Sequence, residues 1–144
     1  MPGEIIHMKV DDIAGFIDAI RLRVDVFIIE QGFKPGFEPD KDDRNAVHFI
    51  TKIDGKTVAT ARVRETADKE YKIERMAVEK NSRKNKIGKK LLEYIVNWAK
   101  KSMPKRVWLK SQFAAKEFYE KSGFVQVSEP YEMHGVMHVD MELK

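Results

Sequence analysis

The 144-residue chain contains no cysteine. That absence excludes a disulfide framework, thiolate zinc sites and a cysteine nucleophile, and it fits a reducing compartment. No apolar run approaches the ~20 residues needed to span a bilayer. The N-terminal stretch MPGEIIHMKVDD lacks a basic start followed by a long apolar segment, so no signal peptide is read there. A cytoplasmic protein is the expectation. Glycine-rich phosphate loops are missing too. There is no GxGxxG and no GxSxG, and around Gly88-Lys89 a Walker A loop fails because Arg83 and Lys90 stand where Gly and Ser or Thr are required. DKDDRN is not a calcium loop, since Arg44 takes a ligand position and Asn45 the place of the turn glycine. His134 and His138 are four apart, but on a strand or turn they do not converge on one ion, and no metal is expected.

What the chain does have is an ordinary globular composition, 42% hydrophobic and 35% charged. Its length argues for one domain over 1–144 with one core. Net charge is +4 and the pI about 9.2, but the distribution says more than the sum. Lys80 to Lys90 holds six basic residues and no acidic one, whereas Glu30 to Asp43 holds Glu30, Glu38, Asp40, Asp42 and Asp43 against Lys34 and Lys41. The alternative for each run is plain solvated surface.

Periodicity orders the elements as β-α-β-β-β-α-β-α-β-β. EIIHMKV reads as a strand. DDIAGFIDAI reads as a helix capped by Asp11 or Asp12, with Ile13, Phe16, Ile17 and Ile20 on one face. LRVDVFIIE extends that helix or forms a separate turn. Residues 31–46 are loop-like. VHFITKI and TVATARVRE flank Asp54-Gly55, a type I′ hairpin signal. YKIERMAVE is a strand, and Lys86 to Lys101 is a helix with Ile87, Leu91, Leu92, Ile95, Trp98 and Ala99 on one side. KRVWLKS is a strand, AAKEFYEKSGF a short helix ended by Gly123, and FVQVSE and VMHVDMEL are closing strands.

The segment KIERMAVEKNSRKNKIGKKLLEYIVNWAK is strand, basic loop, helix. A loop entering a helix turns several backbone N–H groups outward, and the helix dipole adds partial positive charge. Arg83, Lys84, Lys86 and Lys89 add formal charge, and Gly88 permits close backbone approach. Donors that converge suit a compact diphosphate better than a long duplex. A nucleic-acid-binding module is the rival, but no aromatics interleave the run and the acidic stretch repels phosphate.

AVEKNSRKNKIGKKLLEYIVNWAK resembles motif A of the GNAT-family N-acetyltransferases, whose loop reads R/Q-x-x-G-x-G/A and here runs Arg83-Lys84-Asn85-Lys86-Ile87-Gly88. AAKEFYEKSGF is similar to the family's second signature. LRVDVFIIEQ with PDKDD and His48, and the closing YEMHGVMHVDMEL, resemble the ElaA-like branch. The resemblance spans nearly the whole chain. It implies an α/β single-domain GNAT-like fold, with a mixed, mostly antiparallel sheet, a splayed parallel strand pair and helices on both faces.

It also implies transfer of an acetyl group from acetyl-CoA, as co-substrate, to a small-molecule or peptide amine within a ternary complex. A binding-only member of the same fold that senses a CoA ester is the alternative. No nucleic acid and no membrane are expected as partners, and a homodimer stays open. Met76, Ala77 and Val78 would pair with the pantetheine arm. Arg83, Lys84, Asn85, Lys86, Ile87, Gly88 and Lys89 would hold the pyrophosphate, and Gln112 would line the cleft. Tyr119 takes the family's general-acid position; its alternative is a core aromatic beside Phe118 and Phe124. Glu30, His48 and His138 are candidates for the base or for substrate contacts, with water as a further relay.

Three points stay open. Lys86 stands at the first glycine of the loop pattern. Where the backbone there needs positive φ, a lysine costs roughly 1–2 kcal/mol; where it needs only close approach, the side chain must point away. Glu30, Asp40 and Asp43 are expected to attract a cationic amine, or else to cap loops. Arg62 and Arg75 either face the cleft, favouring a carboxylated substrate, or pair with Glu65 or Glu74.

Overall fold

The computed structural model of the protein describes residues 3–144; the first two positions of the N-terminal stretch read above lie outside them. The elements follow in order: β1 (Glu4–Met8), α1 (Ile13–Arg23), β2 (Val47–Ile53), β3 (Lys56–Ala67), β4 (Glu70–Val78), α2 (Ile87–Lys100), β5 (Arg106–Gln112), α3 (Lys116–Glu120), β6 (Phe124–Gln126), β7 (Tyr131–Met133) and β8 (Val136–Leu143). Asp12 caps α1 by accepting the Gly15 N–H at 3.2 Å. The chain does not break after α1. It runs on through Val24–Glu30 with wider π-type turns, which settles how LRVDVFIIE folds. Asp54 and Gly55 both take positive φ, 51° and 78°, as a type I′ hairpin requires.

β7 is an element that the sequence pattern did not announce. It pairs with β8 around His134-Gly135, whose φ values of 55° and 76° repeat the Asp54-Gly55 geometry. Histidine is a rarer occupant of such a turn than Asn or Asp, so the signal was weak.

The sheet order is β1-β2-β3-β4-β5-β8-β6, with β7 also on β8. Side chains alternate across it. Phe49 faces the large core built with α2, where Leu91, Leu92 and Ile95 are fully buried, and Ile50 faces Met8 and Ala19 of the α1 side. Burying each such aliphatic side chain is worth about 1.5–3 kcal/mol.

One pair in this sheet is parallel, β4 with β5, and it lasts only from Glu70↔Arg106 to Ile73↔Leu109. The reason lies on the other edge of β4. Thr60 pairs with Ala77 and Arg62 with Glu74, so Ala61 alone faces Arg75 and Met76. That extra residue is a bulge, and Arg75 carries φ +56° within it. A bulge bends its strand and increases its twist. β4 therefore turns away from β5 beyond Ile73, and a cleft opens between them.

Candidate active site

The cleft is about 590 Å³ and runs from the basic loop to the junction of β5 and α3. Its floor is the free edge of β4. Glu79 donates its N–H to the Val58 carbonyl at 2.8 Å. By the alternation of an antiparallel ladder, Ala77 then also faces β3, while Met76 and Val78 present N–H and C=O to the open edge. Ala77 lines the cleft as expected, but its backbone is spent on β3 and is not free to pair with a pantetheine arm. Its side chain packs with Leu22, Val26 and Phe27.

At one end stands the start of α2. Its first intrahelical bond is Lys90 N–H to Lys86 O at 3.1 Å, and no side chain caps it. The N–H groups of Ile87, Gly88 and Lys89 therefore lack intrahelical partners. Lys86 has φ 58° and ψ 20°, so the positive-φ alternative holds, and lysine occupies a conformation that glycine adopts without strain. Arg83, Lys84, Lys86, Gly88 and Lys89 line the cleft. Asn85 and Ile87 do not. Both line a separate recess beside Ile5, Thr51 and Ile53, and Ile87 is buried, so their side chains are removed from the phosphate-binding set.

Gly88 also has a different reason from the one read in the sequence. A Cβ there would meet Val78 Cγ2 at 3.1 Å and Phe118 Cζ at 3.3 Å. The close approach is between α2, the end of β4 and α3.

At the other end Tyr119 is buried, in edge contact with Phe118 and Phe124. Its hydroxyl makes no hydrogen bond among the described residues. Burial pushes the phenol well above its ordinary range, so it stays protonated. Tyr119 lines both the long cleft and a smaller recess, and the two spaces share Phe27, Met76, Gln112 and Ala115. Gln112 ends β5 and donates from Nε2 to Gln31 Oε1 at 3.1 Å, tying the π-type turns to the cleft rim.

The three base candidates separate. His138 lines the small recess with Tyr119. Its Nδ1 lies 2.8 Å from the Val136 carbonyl; a carbonyl only accepts, so Nδ1 carries a hydrogen, and in the neutral ring the lone pair is on Nε2. His48 is a correction. It is fully buried, lines neither space, and its Nε2 lies 3.0 Å from the Asp43 carbonyl. Burial holds its imidazole below the usual range, so it braces the loop above it. Glu30 is a second correction. Both its oxygens take Arg83 guanidinium hydrogens at 2.6 Å. That pairing lowers its carboxyl pKa, the wrong direction for a base. Arg83 also donates from Nε to the Val78 carbonyl at 3.0 Å.

The acidic stretch turns inward, which overturns its expected role facing the acceptor. Arg23 Nε and Nη2 meet Glu38 at 2.9 and 2.5 Å, and Nη1 and Nη2 meet Asp43 at 2.8 and 3.0 Å. Arg62 joins Asp40, Asp43 and Glu74 at 2.6, 2.8 and 3.1 Å, so it pairs with Glu74 as the cross-strand alternative had it. Asp40 also caps the single helical turn Lys41–Asn45 through the Asp42 N–H at 2.9 Å. Burial raises the Asp43 carboxyl, and Arg23 and Arg62 more than reverse this, bringing it down to about 2. For Glu74 burial is outweighed by Arg64, Lys72 and Arg62, again giving about 2. Among the described residues no group of three or more His, Asp or Glu is arranged to hold a metal ion, and no helix is long and apolar enough to cross a membrane.

A bulged β4 splaying from a parallel neighbour, with a basic loop leading into a helix at its end, defines an acyl-CoA N-acyltransferase fold. Residues 25–144 match the acetyltransferase (GNAT) domain model, and the chain belongs to the GNAT acetyltransferase family. A UPF0039 protein of Schizosaccharomyces pombe is 33% identical over 92% of this chain and 90% of its own length. ElaA of Escherichia coli is 31% identical over 85% of this chain and 82% of its own. The ElaA crystal structure superposes with a TM-score of 0.89, covering 99% of this chain and all of that one, at 26% identity over the superposed residues. An acyl-CoA N-acyltransferase from Pseudomonas aeruginosa, 22% identical with a TM-score of 0.87 over 99% of this chain and 100% of its own, shares the fold.

Proposed function

We propose that the protein moves an acetyl group from acetyl-CoA to a primary amine by direct attack in a ternary complex. The observation that carries this reading is Tyr119, a buried phenol with an unclaimed hydroxyl where the long cleft and the small recess meet. The long cleft suits the CoA ester. Met76 and Val78 offer a strand edge to the pantetheine amides. Ile87, Gly88 and Lys89 offer backbone N–H groups to the pyrophosphate, with Lys84, Lys86 and Lys89 supplying charge. Arg83 would then exchange the Val78 carbonyl for the cofactor.

The amine enters from the small recess. A lysine-like amine has a pKa of ~10.4 and arrives mostly protonated. His138 Nε2, directly or through a water, accepts that proton. The amine nitrogen bonds to the acetyl carbon, the carbon–sulfur bond breaks as Tyr119 gives its proton to the departing CoA thiolate, and the second proton that the nitrogen sheds as the amide forms returns to the Tyr119 oxygen. Help of this kind is typically worth ~10²–10⁴ in rate.

The test is release of CoA thiol from acetyl-CoA with a panel of primary amines. Tyr119→Phe keeps the ring and removes the donor. Turnover is expected to fall at least ~10-fold, with melting temperature and acetyl-CoA affinity little changed. Acetyl-CoA binding without turnover by any amine would instead favour a binding-only protein. A Tyr119→Phe variant that loses stability but keeps its turnover per folded molecule would return Tyr119 to the core.

A further inference from the structure

The small recess has a legible sign of charge. Its charged lining is Lys72, Glu74, Arg75 and Lys110. Glu74 is the one carboxylate among the lining residues, and it is already held by Arg64 at 2.5 Å, Lys72 at 2.7 Å and Arg62 at 3.1 Å. Glu38 and Asp40 sit behind Arg75, at 3.1 Å from Nε and 2.9 Å from Nη2. Arg75 Nη1 makes no hydrogen bond among the described residues. Lys110 is held loosely. Its Nζ is 3.4 Å from Asp140 and 3.3 Å from the Tyr131 hydroxyl, while that hydroxyl donates to the same Asp140 oxygen at 2.5 Å. Three of the four charged residues lining the recess are thus cationic, and the one carboxylate, Glu74, is already shared by three cations.

The spacing is short. Lys110 and Gln112 lie on one face of β5, opposite Asp140 and His138. Two residues along a strand advance ~6.6 Å. A ligand with its nitrogen at His138 and Tyr119 therefore reaches Lys110 within a few bonds. The recess itself is about 140 Å³. A second ammonium at the far end would face like charge, whereas a carboxylate there would be matched. The same cations favour the neutral form of the attacking amine.

We propose that the acceptor is a small amine carrying a carboxylate a few bonds from its nitrogen, with Lys110, seconded by Arg75, as the carboxylate's partner. This rests on the acetyltransferase reading of the same site. The probes are 4-aminobutanoate and butane-1,4-diamine, close in length and differing in the distal group. Their equilibrium binding is measured by calorimetry on the free protein and on protein with excess CoA.

The aminocarboxylate is expected to bind at least ~10-fold tighter, the scale of one well-made ionic contact. Lys110→Ala should remove most of that preference, Lys110→Arg should keep it, and Lys110→Glu should invert it, each with an unmoved melting temperature. Equal or tighter binding of the diamine overturns the proposal. So does undetectable binding of the aminocarboxylate, or a preference unchanged in a folded Lys110→Ala protein. Should Lys110→Ala fail to fold, the wild-type preference and Lys110→Arg decide. Selective binding of the aminocarboxylate without acetylation would leave the carboxylate assignment standing and sink the transferase reading alone.

Discussion

The acidic stretch around Glu38–Asp43 and the basic stretch Lys80–Lys90 resemble each other as charge runs, and they meet opposite fates. Glu38 and Asp43 are drawn under the surface, Asp40 and Asp42 stay partly exposed, and each is matched. Glu38 and Asp43 are buried against Arg23, and Arg62, Arg64 and Arg75 reach the same cluster from neighbouring strands. The basic residues stay outside. Arg83 finds Glu30, but Lys84, Lys86 and Lys89 have no ion-pair partner among the described residues, and they stand around uncapped helical N–H groups. The lesson is that a charge run becomes a site only when the fold withholds its counter-charges. One region is spent on holding the α1 turn, the loop and the sheet together; the other is left with unsatisfied attraction for an anion.

The sharpest break in this comparison is Arg23→Ala. It takes the bidentate partner from two buried carboxylates, leaving Asp43 to Arg62 and Glu38 to Arg75, and losing one partner of a buried pair costs about 3–5 kcal/mol. Chemical denaturation should register that loss, while CoA affinity of the folded fraction stays unchanged. A cost under about 1 kcal/mol, the range of exposed pairs, would mean that the cluster is no more committed than the basic loop.

Acid should separate the two regions next. Asp43 and Glu74 are held at about 2, against ordinary values near 3.9 and 4.3. Depressed carboxyls stabilise the fold above their unfolded pKa, and that stability is lost as pH falls toward the folded one. Unfolding free energy should therefore drop between about pH 4 and pH 2, by on the order of 2 kcal/mol for each group. Asp43→Asn should flatten part of this slope. An unaltered slope would move the acid dependence elsewhere.

On the basic side the expected effects are smaller and fall on binding. Lys84→Ala and Lys89→Ala should each weaken CoA several-fold, about 0.5–1 kcal/mol, and more at low salt than at high. Melting temperatures should not move. A stability loss in either variant would show that these lysines are paired after all.

The smallest effect is expected at Lys86. Lys86→Gly relieves a left-handed lysine and should raise stability by up to ~1 kcal/mol, while the lost charge weakens CoA two- to three-fold, under ~1 kcal/mol. A marked tightening of CoA would instead identify the lysine as an obstruction at the loop.

Much of this architecture was legible in the chain. Helical spacing of Leu91, Leu92 and Ile95 placed α2, and Asp54-Gly55 placed the hairpin, since both signals are local. The strand, loop and helix around Arg83–Lys89 marked the proposed anion site for the same reason. The destinations of Glu30, His48, Asp40 and Asp43 were not legible. Glu30, Asp40 and Asp43 looked available for chemistry because their partners lie far along the chain, as Arg83 does from Glu30 and Arg62 from Asp40, and His48 because no local pattern shows that the fold buries it.

By itself, the sequence determined the periodicities, the turn chemistry and the basic loop, all consequences of steric and hydrophobic preferences acting over a few residues. The folded chain alone determines which charges remain free. It set Arg75 in a bulge so that β4 leaves β5. It brought Tyr119 and His138 to one recess from separate elements, and it closed an arginine network over the acidic loop. Those outcomes depend on pairings between distant segments, and the cost or gain of a charge is settled by what stands within a few ångströms of it in the folded chain.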